Sequence, residues 1–197
     1  MELLVATNNA HKLEELRAAM PDHGLQGPKA LGLSFDFAEN GSSFLENALG
    51  KAMALYELTG MPVLADDSGL CVDALDGRPG IYSARYGSGP DGVELPSDQR
   101  NQLLLAEMRG QENRACRFVC CLAVVLSPWR VFTVQESCEG ILLEEGVGGG
   151  GFGYDPVVFL PELGKTVAQL DMESKNRVSH RGRALARMKA LLDSLRE

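Results

Sequence analysis

Residues 62–75 read PVLADDSGLCVDAL, and the fold turns on what the chain does at the two adjacent carboxylates, Asp66 and Asp67. The apolar run MPVLA (61–65) predicts a buried strand leading into them. Successive side chains of a strand point to opposite faces. If the strand continues, one carboxylate faces a ligand and the other is held by backbone or by a basic side chain. If it stops, Asp66, Asp67, Ser68 and Gly69 close it in an Asx-type turn. Both readings are open on this stretch alone.

Working outward, LLVA (3–6) predicts a short buried strand, and NNAHKLEELRAAM predicts a helix with Leu13, Leu16 and Met20 at helical spacing. Asn9 is its expected N-cap. A strand is expected near 30–37. SSFLENALGKAMALYELTG (42–60) predicts a helix whose apolar face carries Phe44, Leu45, Ala48, Leu49, Ala52, Met53 and Tyr56, stopped by Gly60. Asn47 and Lys51, four apart, lie on one side of that face. Residues 69–96 are rich in glycine and proline and predict irregular structure with about one helical turn. SDQRNQLLLAEMRG predicts a capped helix. ACRFVCCLAVVL and WRVFTVQESCEG predict two long strands joined at Ser127-Pro128. GVGGGGFGYDP predicts a glycine-rich loop. VSHRGRALARMKALLDSL predicts a last helix with Leu185, Met188, Leu191, Leu192 and Leu195 inward. Helix–strand alternation followed by a long hairpin predicts an α/β fold with a mixed sheet and flanking helices.

The chain has 197 residues, enough for one domain or one domain in two lobes. Apolar content of 45% with 23% charged residues fits a soluble globular protein with a full core. No run approaches the roughly 18 apolar residues of a membrane span, and MELLVATNNAHK does not read as a signal peptide. The five cysteines include no CxxC pair, which predicts buried free thiols in a reducing cytoplasm rather than a zinc site. The formal charge of −8 argues against nucleic acid as a partner. Yet Lys175, Arg177, Arg181, Arg183, Arg187 and Lys189 occur with no Asp or Glu among them. That patch suits a small anionic ligand or a solvated helix face.

Two helix starts share an unusual feature. A first helical turn favours acidic residues, because its free N–H groups carry positive charge. Here Thr7-Asn8-Asn9-Ala10-His11-Lys12 puts His11 and Lys12 in one first turn, and Ser179-His180-Arg181-Gly182 puts His180 and Arg181 in another. Helix starts bind phosphate, so the pair together points to a polyanion such as a nucleoside triphosphate. A hard cation such as Mg²⁺ takes one or two carboxylates with phosphate oxygens and water. Asp67 is a candidate, with Glu39, Glu46 and Asp73 nearby in sequence. In GGGGFGYDP (148–156) the backbone can approach a ligand closely, and Phe152 and Tyr154 can stack on a base.

The order of these blocks resembles the inosine triphosphate pyrophosphatase family, which acts on non-standard purine nucleoside triphosphates. The matching stretches are ATNNAHKLEEL, FLENALGKA, LADDSGLCVDALDGRPGIYSARY, GGFGYDPVVF and KNRVSHRGRAL, spanning residues 6 to 185. The resemblance implies a single pyrophosphatase domain over 1–197, with two lobes around a curved sheet and a central cleft. It implies an Mg²⁺-dependent homodimer that hydrolyses ITP, dITP and XTP to the monophosphate and pyrophosphate, and the free thiols make the cytoplasm its expected compartment. It carries substrate contacts onto Thr7, Asn8, Asn9, Ala10, His11, Lys12, Ser68, Phe152, Gly153, Tyr154, Asp155, Lys175, His180 and Arg181. Lys51 is a further phosphate contact. Asp67 becomes general base and metal ligand, with Glu39 as second ligand and Glu46 as its substitute. Asn8 stands where the family has glycine, so the turn is expected to use the tolerance of asparagine for positive φ.

Overall fold

The computed structural model describes residues 1–89 and 92–195. Seven strands form one mixed sheet: β1 (Glu2–Val5), β2 (Gly24–Gln26), β3 (Val63–Val72), β4 (Ala115–Ser127), β5 (Arg130–Leu142), β6 (Val158–Leu160) and β7 (Lys165–Thr166), in the order β2-β1-β3-β4-β5-β6-β7. β1 pairs parallel with both β2 and β3, whereas β5–β6 and β6–β7 are antiparallel. Five α-helices accompany them: α1 (Ala10–Ala19), α2 (Phe44–Thr59), α3 (Ser97–Glu107), α4 (Met172–Val178) and α5 (His180–Ser194). The expected α/β class with a mixed sheet is what forms. The chain divides into two compact units: one of Met1–Asp67, Cys120–Glu136 and His180–Glu197, the other of Ser68–Val119 and Ser137–Ser179.

The first unit is layered. Leu3 and Val5 of β1, Leu64 of β3 and Cys120, Leu122 and Val124 of β4 pack with Leu16 of α1, Met20 at its C-cap, and Leu185, Met188 and Leu192 of α5. The alternate residues Leu4, Val63, Ala65, Cys121, Ala123 and Val125 pack with Ala48, Ala52 and Leu55 of α2. Helices thus cover both faces of the parallel strands, as period-2 alternation between two apolar faces requires. Gly60 ends α2 in the left-handed region (φ 65°).

The second unit has one core, built on Leu70, Val72, Leu104, Met108, Phe118, Leu142, Tyr154 and Val158. All five cysteines are free; Cys71 is half-buried and the other four are buried.

Several elements differ from expectation. No strand forms over 30–37: residues 28–31 make a 3₁₀ turn, and the place beside β1 belongs to β2. Phe35 packs beside α2, but the segment has no strand partner. β3 does not stop at Ala65 but runs to Val72, and 73–75 and 80–82 are two 3₁₀ turns. α3 begins after Pro96 without a side-chain cap, proline's fixed φ setting the entry instead. α4, capped by Asp171, is an additional helix ahead of Ser179. Among the described residues no helix is long and apolar enough to cross a membrane.

Candidate active site

Because β3 continues through 66–67, Asp66 and Asp67 project to opposite faces of the first unit, each into its own set of partners. Asp66 shares the face of Leu64, and its side chain is wholly buried. Lys12 Nζ donates to its Oδ1, while Arg181 Nε (3.0 Å) and Cys120 Sγ (3.1 Å) lie on Oδ2. Arg181 Nη1 also donates to Glu15 Oε2 at 2.6 Å. Burial pushes the Asp66 carboxyl up, but Arg181 and Lys12 outweigh it and hold the group well below the ordinary carboxylate range. α1 and α5 are therefore tied together through one carboxylate.

Asp67 shares the face of Ala65. Its Oδ2 accepts from Asn47 Nδ2 (3.1 Å), and its Oδ1 lies 3.6 Å from Lys51 Nζ. Lys51 also pairs with Glu39 and donates to the Asp66 carbonyl at 2.8 Å. Asn47 and Lys51, one turn apart on α2, thus both reach Asp67. Burial holds the Asp67 carboxyl above its ordinary value; Lys51 pulls it down, and the like charge of Glu39 adds to the rise. Burial works against the Lys51 ammonium, yet Asp67 and Glu39 together leave it raised.

The remaining carboxylates sort themselves. Glu46 accepts from Ser42 N (2.7 Å) and Ser42 Oγ (3.0 Å), while its own N–H is capped by Ser43. It closes the start of α2, whereas Glu39 lies on Lys51 beside Asp67. Asp73 pairs with Arg117 at 2.9 Å. Among the described residues no group of three or more His, Cys, Asp or Glu is gathered to hold a metal. The chain offers two converging carboxylates, Asp67 and Glu39, with Lys51 between them. An all-oxygen pair of that kind fits a hard divalent cation that keeps water and phosphate as its other ligands.

At the α1 start, Thr7 Oγ1 accepts from Asn9 N and Asn9 Oδ1 accepts from Lys12 N, both at 3.1 Å. Ala10 and His11 are exposed first-turn residues. Asn8 does not adopt positive φ, as Asp76 is the one non-glycine residue there among those described. Its side chain instead donates to the Phe35 carbonyl at 2.8 Å, which explains why asparagine serves in that turn. At the α5 start, His180 and Arg181 are buried. Arg181 is expected to be a substrate contact. As placed, it is 2% exposed and lies on Asp66 and Glu15.

The second unit holds Ser68, half-buried on β3, and the FGYD turn. Asp155 Oδ2 accepts from Phe152 N (2.9 Å) and from Lys175 Nζ (2.8 Å). The Lys175 ammonium sits 4.7 Å from the centre of the Phe152 ring, a cation–π contact. Tyr154 is buried, and its hydroxyl donates to the Ser83 carbonyl at 3.0 Å. It is an anchor beneath the turn and not a stacking surface. Gly153 has φ 62°, and its carbonyl accepts from Asn101 Nδ2 at 3.1 Å. Phe152, Gly153, Tyr154, Asp155 and Lys175 thus form one connected group.

Glu15, Cys120, Asn47 and Asn101 are partners that the sequence reading does not assign to the site. Asn47 shares one side of α2 with Lys51, and that spacing is the signal that brings its amide to Asp67. Glu15 and Cys120 carry no local signal, because their partners are remote in sequence.

Residues 3–191 match the model of the Ham1 family. A dITP/XTP pyrophosphatase of Treponema denticola is 48% identical over 94% of this chain and 95% of that protein. One from Desulforamulus reducens is 44% identical over 99% and 97%. The solved Ham1 protein of Staphylococcus aureus superposes with a TM-score of 0.87 at 36% identity, covering 98% of this chain and 99% of its own.

Proposed function

The chain belongs to the Ham1 family, and from that premise we propose that it hydrolyses ITP, dITP and XTP to the nucleoside monophosphate and pyrophosphate. The observation that carries the reading is the meeting of Asp67 and Glu39 on Lys51, in a chain 48% identical to a dITP/XTP pyrophosphatase.

Asp67 is the proposed general base. A carboxylate held above its ordinary range accepts a proton from water more readily than a free one. Asn47 fixes its orientation. The proton leaves water for Asp67 as oxygen attacks the α-phosphorus, and the bond to the β-phosphate oxygen breaks with its electron pair on pyrophosphate. Lys12, Lys51 and the N–H groups at the α1 start, with Thr7, Asn8, Asn9, Ala10 and His11, offset the phosphate charge. Asp67 and Glu39 would hold a Mg²⁺ ion, which supplies Lewis-acid polarisation of phosphate oxygens. Ser68, Phe152, Gly153, Tyr154, Asp155 and Lys175 belong to the same reading as substrate contacts, Tyr154 through its support of the turn.

Purine choice is read as a matter of donors. Hypoxanthine and xanthine present a 6-oxo acceptor, whereas adenine presents a 6-amino donor that would leave the donors of His180 and Arg181 unmet. Such pairing discriminates by roughly 10⁴ or more. Arg181 serves this role by exchanging Asp66 or Glu15 for the base oxygen. The reading includes a single domain over 1–197, assembled as a cytoplasmic homodimer, with neither nucleic acid nor membrane as partner.

Pyrophosphate release from a panel of ITP, dITP, XTP, ATP, GTP, CTP and UTP, with Mg²⁺ and with EDTA, tests the proposal. Release from the first three, abolished by EDTA, is expected. Preference for a pyrimidine nucleotide would replace the substrate class, and binding of ITP without release would make the protein a sensor. Hydrolysis in ¹⁸O-water should label IMP and leave pyrophosphate unlabelled.

A further inference from the structure

Cys120 is the member of the Asp66 cluster to which the proposed reaction gives no role. It lies in the apolar layer with Leu3, Val5, Leu64 and Leu122, where a small aliphatic side chain would fill the same space. Yet its sulfur is 3.1 Å from Asp66 Oδ2. A carboxylate between two cations is ionised and can only accept, so the hydrogen in this contact is carried by sulfur. A thiol is a weak donor, but a charged acceptor strengthens the bond. Oδ2 therefore takes Arg181 Nε and the thiol together, while Oδ1 takes Lys12.

We propose that Cys120 is a positioning residue: its S–H, donated to Asp66 Oδ2, takes up part of the carboxylate's charge and leaves Lys12 and Arg181 less tightly drawn onto it. The functional half of this inference rests on the reading that Lys12 and Arg181 meet the nucleotide. Both cations are shared between Asp66 and substrate in that reading. Without the thiol, Asp66 draws harder on each, and each must be pulled from it during binding. The loss therefore falls on KM and spares kcat, because Asp67 and its partners lie on the other face of β3.

Three variants separate the hydrogen bond from the packing. Cys120→Val keeps bulk and removes the donor, Cys120→Ala removes both, and Cys120→Ser keeps a donor in nearly the same place. For ITP, Cys120→Val and Cys120→Ala should raise KM about tenfold, the usual order for losing a hydrogen bond to a charged group, with kcat within about twofold. Cys120→Ser should restore KM. Infrared difference spectra of wild type minus Cys120→Ser should show an S–H stretching band at lower frequency than that of the other four thiols. An unchanged KM in Cys120→Val, an equal loss in Cys120→Val and Cys120→Ser, or a Cys120 band at the frequency of the others would each overturn the proposal. Should the wild-type protein release no pyrophosphate from ITP, the functional reading falls, and the infrared band still decides the hydrogen bond. Should Cys120→Val fail to fold, the Cys120→Ala and Cys120→Ser pair carries the kinetic comparison.

Discussion

Asparagine at position 66 and asparagine at position 67 should have opposite consequences, although the two substitutions are chemically the same. Asp66 carries two of the described ion pairs of its cluster, to Lys12 and Arg181, and Arg181 is shared with Glu15. Asp66→Asn removes the carboxylate on which both cations lie. Breaking a buried ion pair by removing one partner costs about 3–5 kcal/mol. Lys12 retains 16% exposure and can regain water, which places the expected cost in the lower half of that range. For a chain of this length each kcal/mol lowers Tm by about 2–4 °C, so a fall of about 6–15 °C is expected. At Asp67 burial already disfavours the charged form, so a neutral amide is at least as well accommodated. Asp67→Asn should leave Tm within about 2 °C while reducing ITP turnover by about a hundredfold or more, the usual range for loss of a general base. Thermal melts followed by circular dichroism at neutral pH, with pyrophosphate release on the same samples, make the comparison. The pH dependence adds a check of sign. A carboxyl depressed in the folded state contributes stability that is fully present above its unfolded value, near ~3.9. That contribution is lost as pH falls through the lower folded value. The gap between wild type and Asp66→Asn should therefore close only in strong acid, below that unfolded value. Equal Tm shifts for the two variants, or a larger shift for Asp67→Asn, would refute the division of roles.

Three further outcomes are expected. Lys51→Met removes the cation that pulls the Asp67 carboxyl down, so the acid limb of the kcat–pH profile should move to higher pH. Glu39→Gln should raise the Mg²⁺ concentration needed for half-maximal activity by about tenfold, whereas Glu46→Gln, which affects a helix cap, should leave it unchanged and lower Tm slightly; Mg²⁺ titrations of activity separate the two. Asn101→Ala removes the donor to the Gly153 carbonyl, worth about 1 kcal/mol; amide hydrogen exchange across 151–154 should quicken, and KM for ITP should rise with kcat preserved.

The legible parts of the chain were those governed by period and by caps. α1, α2 and α5, the two long strands and the caps at Asn9 and Gly60 follow from spacing that a single segment contains. The segment 30–37 misled because burial on one side does not require strand pairing; Phe35 packs beside α2 with no neighbouring strand. Two charges and a glycine leave it open from sequence whether β3 continues past Ala65 or closes in a turn. The strand persists because both carboxylates find partners, and because Gly69 has no Cβ to collide with the Gly80 carbonyl and Ser83 Oγ. At the site, strand alternation alone separates Asp66 from Asp67. It does not name Cys120 or Glu15, the second carboxylate on Arg181. Arg181 meets Asp66 across 115 residues and Glu15 across 166, distances over which sequence carries no periodic signal.

The adjacency of Asp66 and Asp67 on one uninterrupted strand makes their identities a matter of parity. Nothing in either side chain distinguishes base from scaffold; the odd or even position along β3 does. A single-residue insertion or deletion between Val63 and Asp66 would exchange them, turning the proposed base toward Arg181 and the scaffold carboxylate toward Lys51, with every amino acid of the site still present. Mutational tolerance in this strand should therefore be lopsided: conservative replacements survive at its apolar positions, while length changes of one residue abolish function and those of two residues, which restore parity, are the ones from which activity can be recovered.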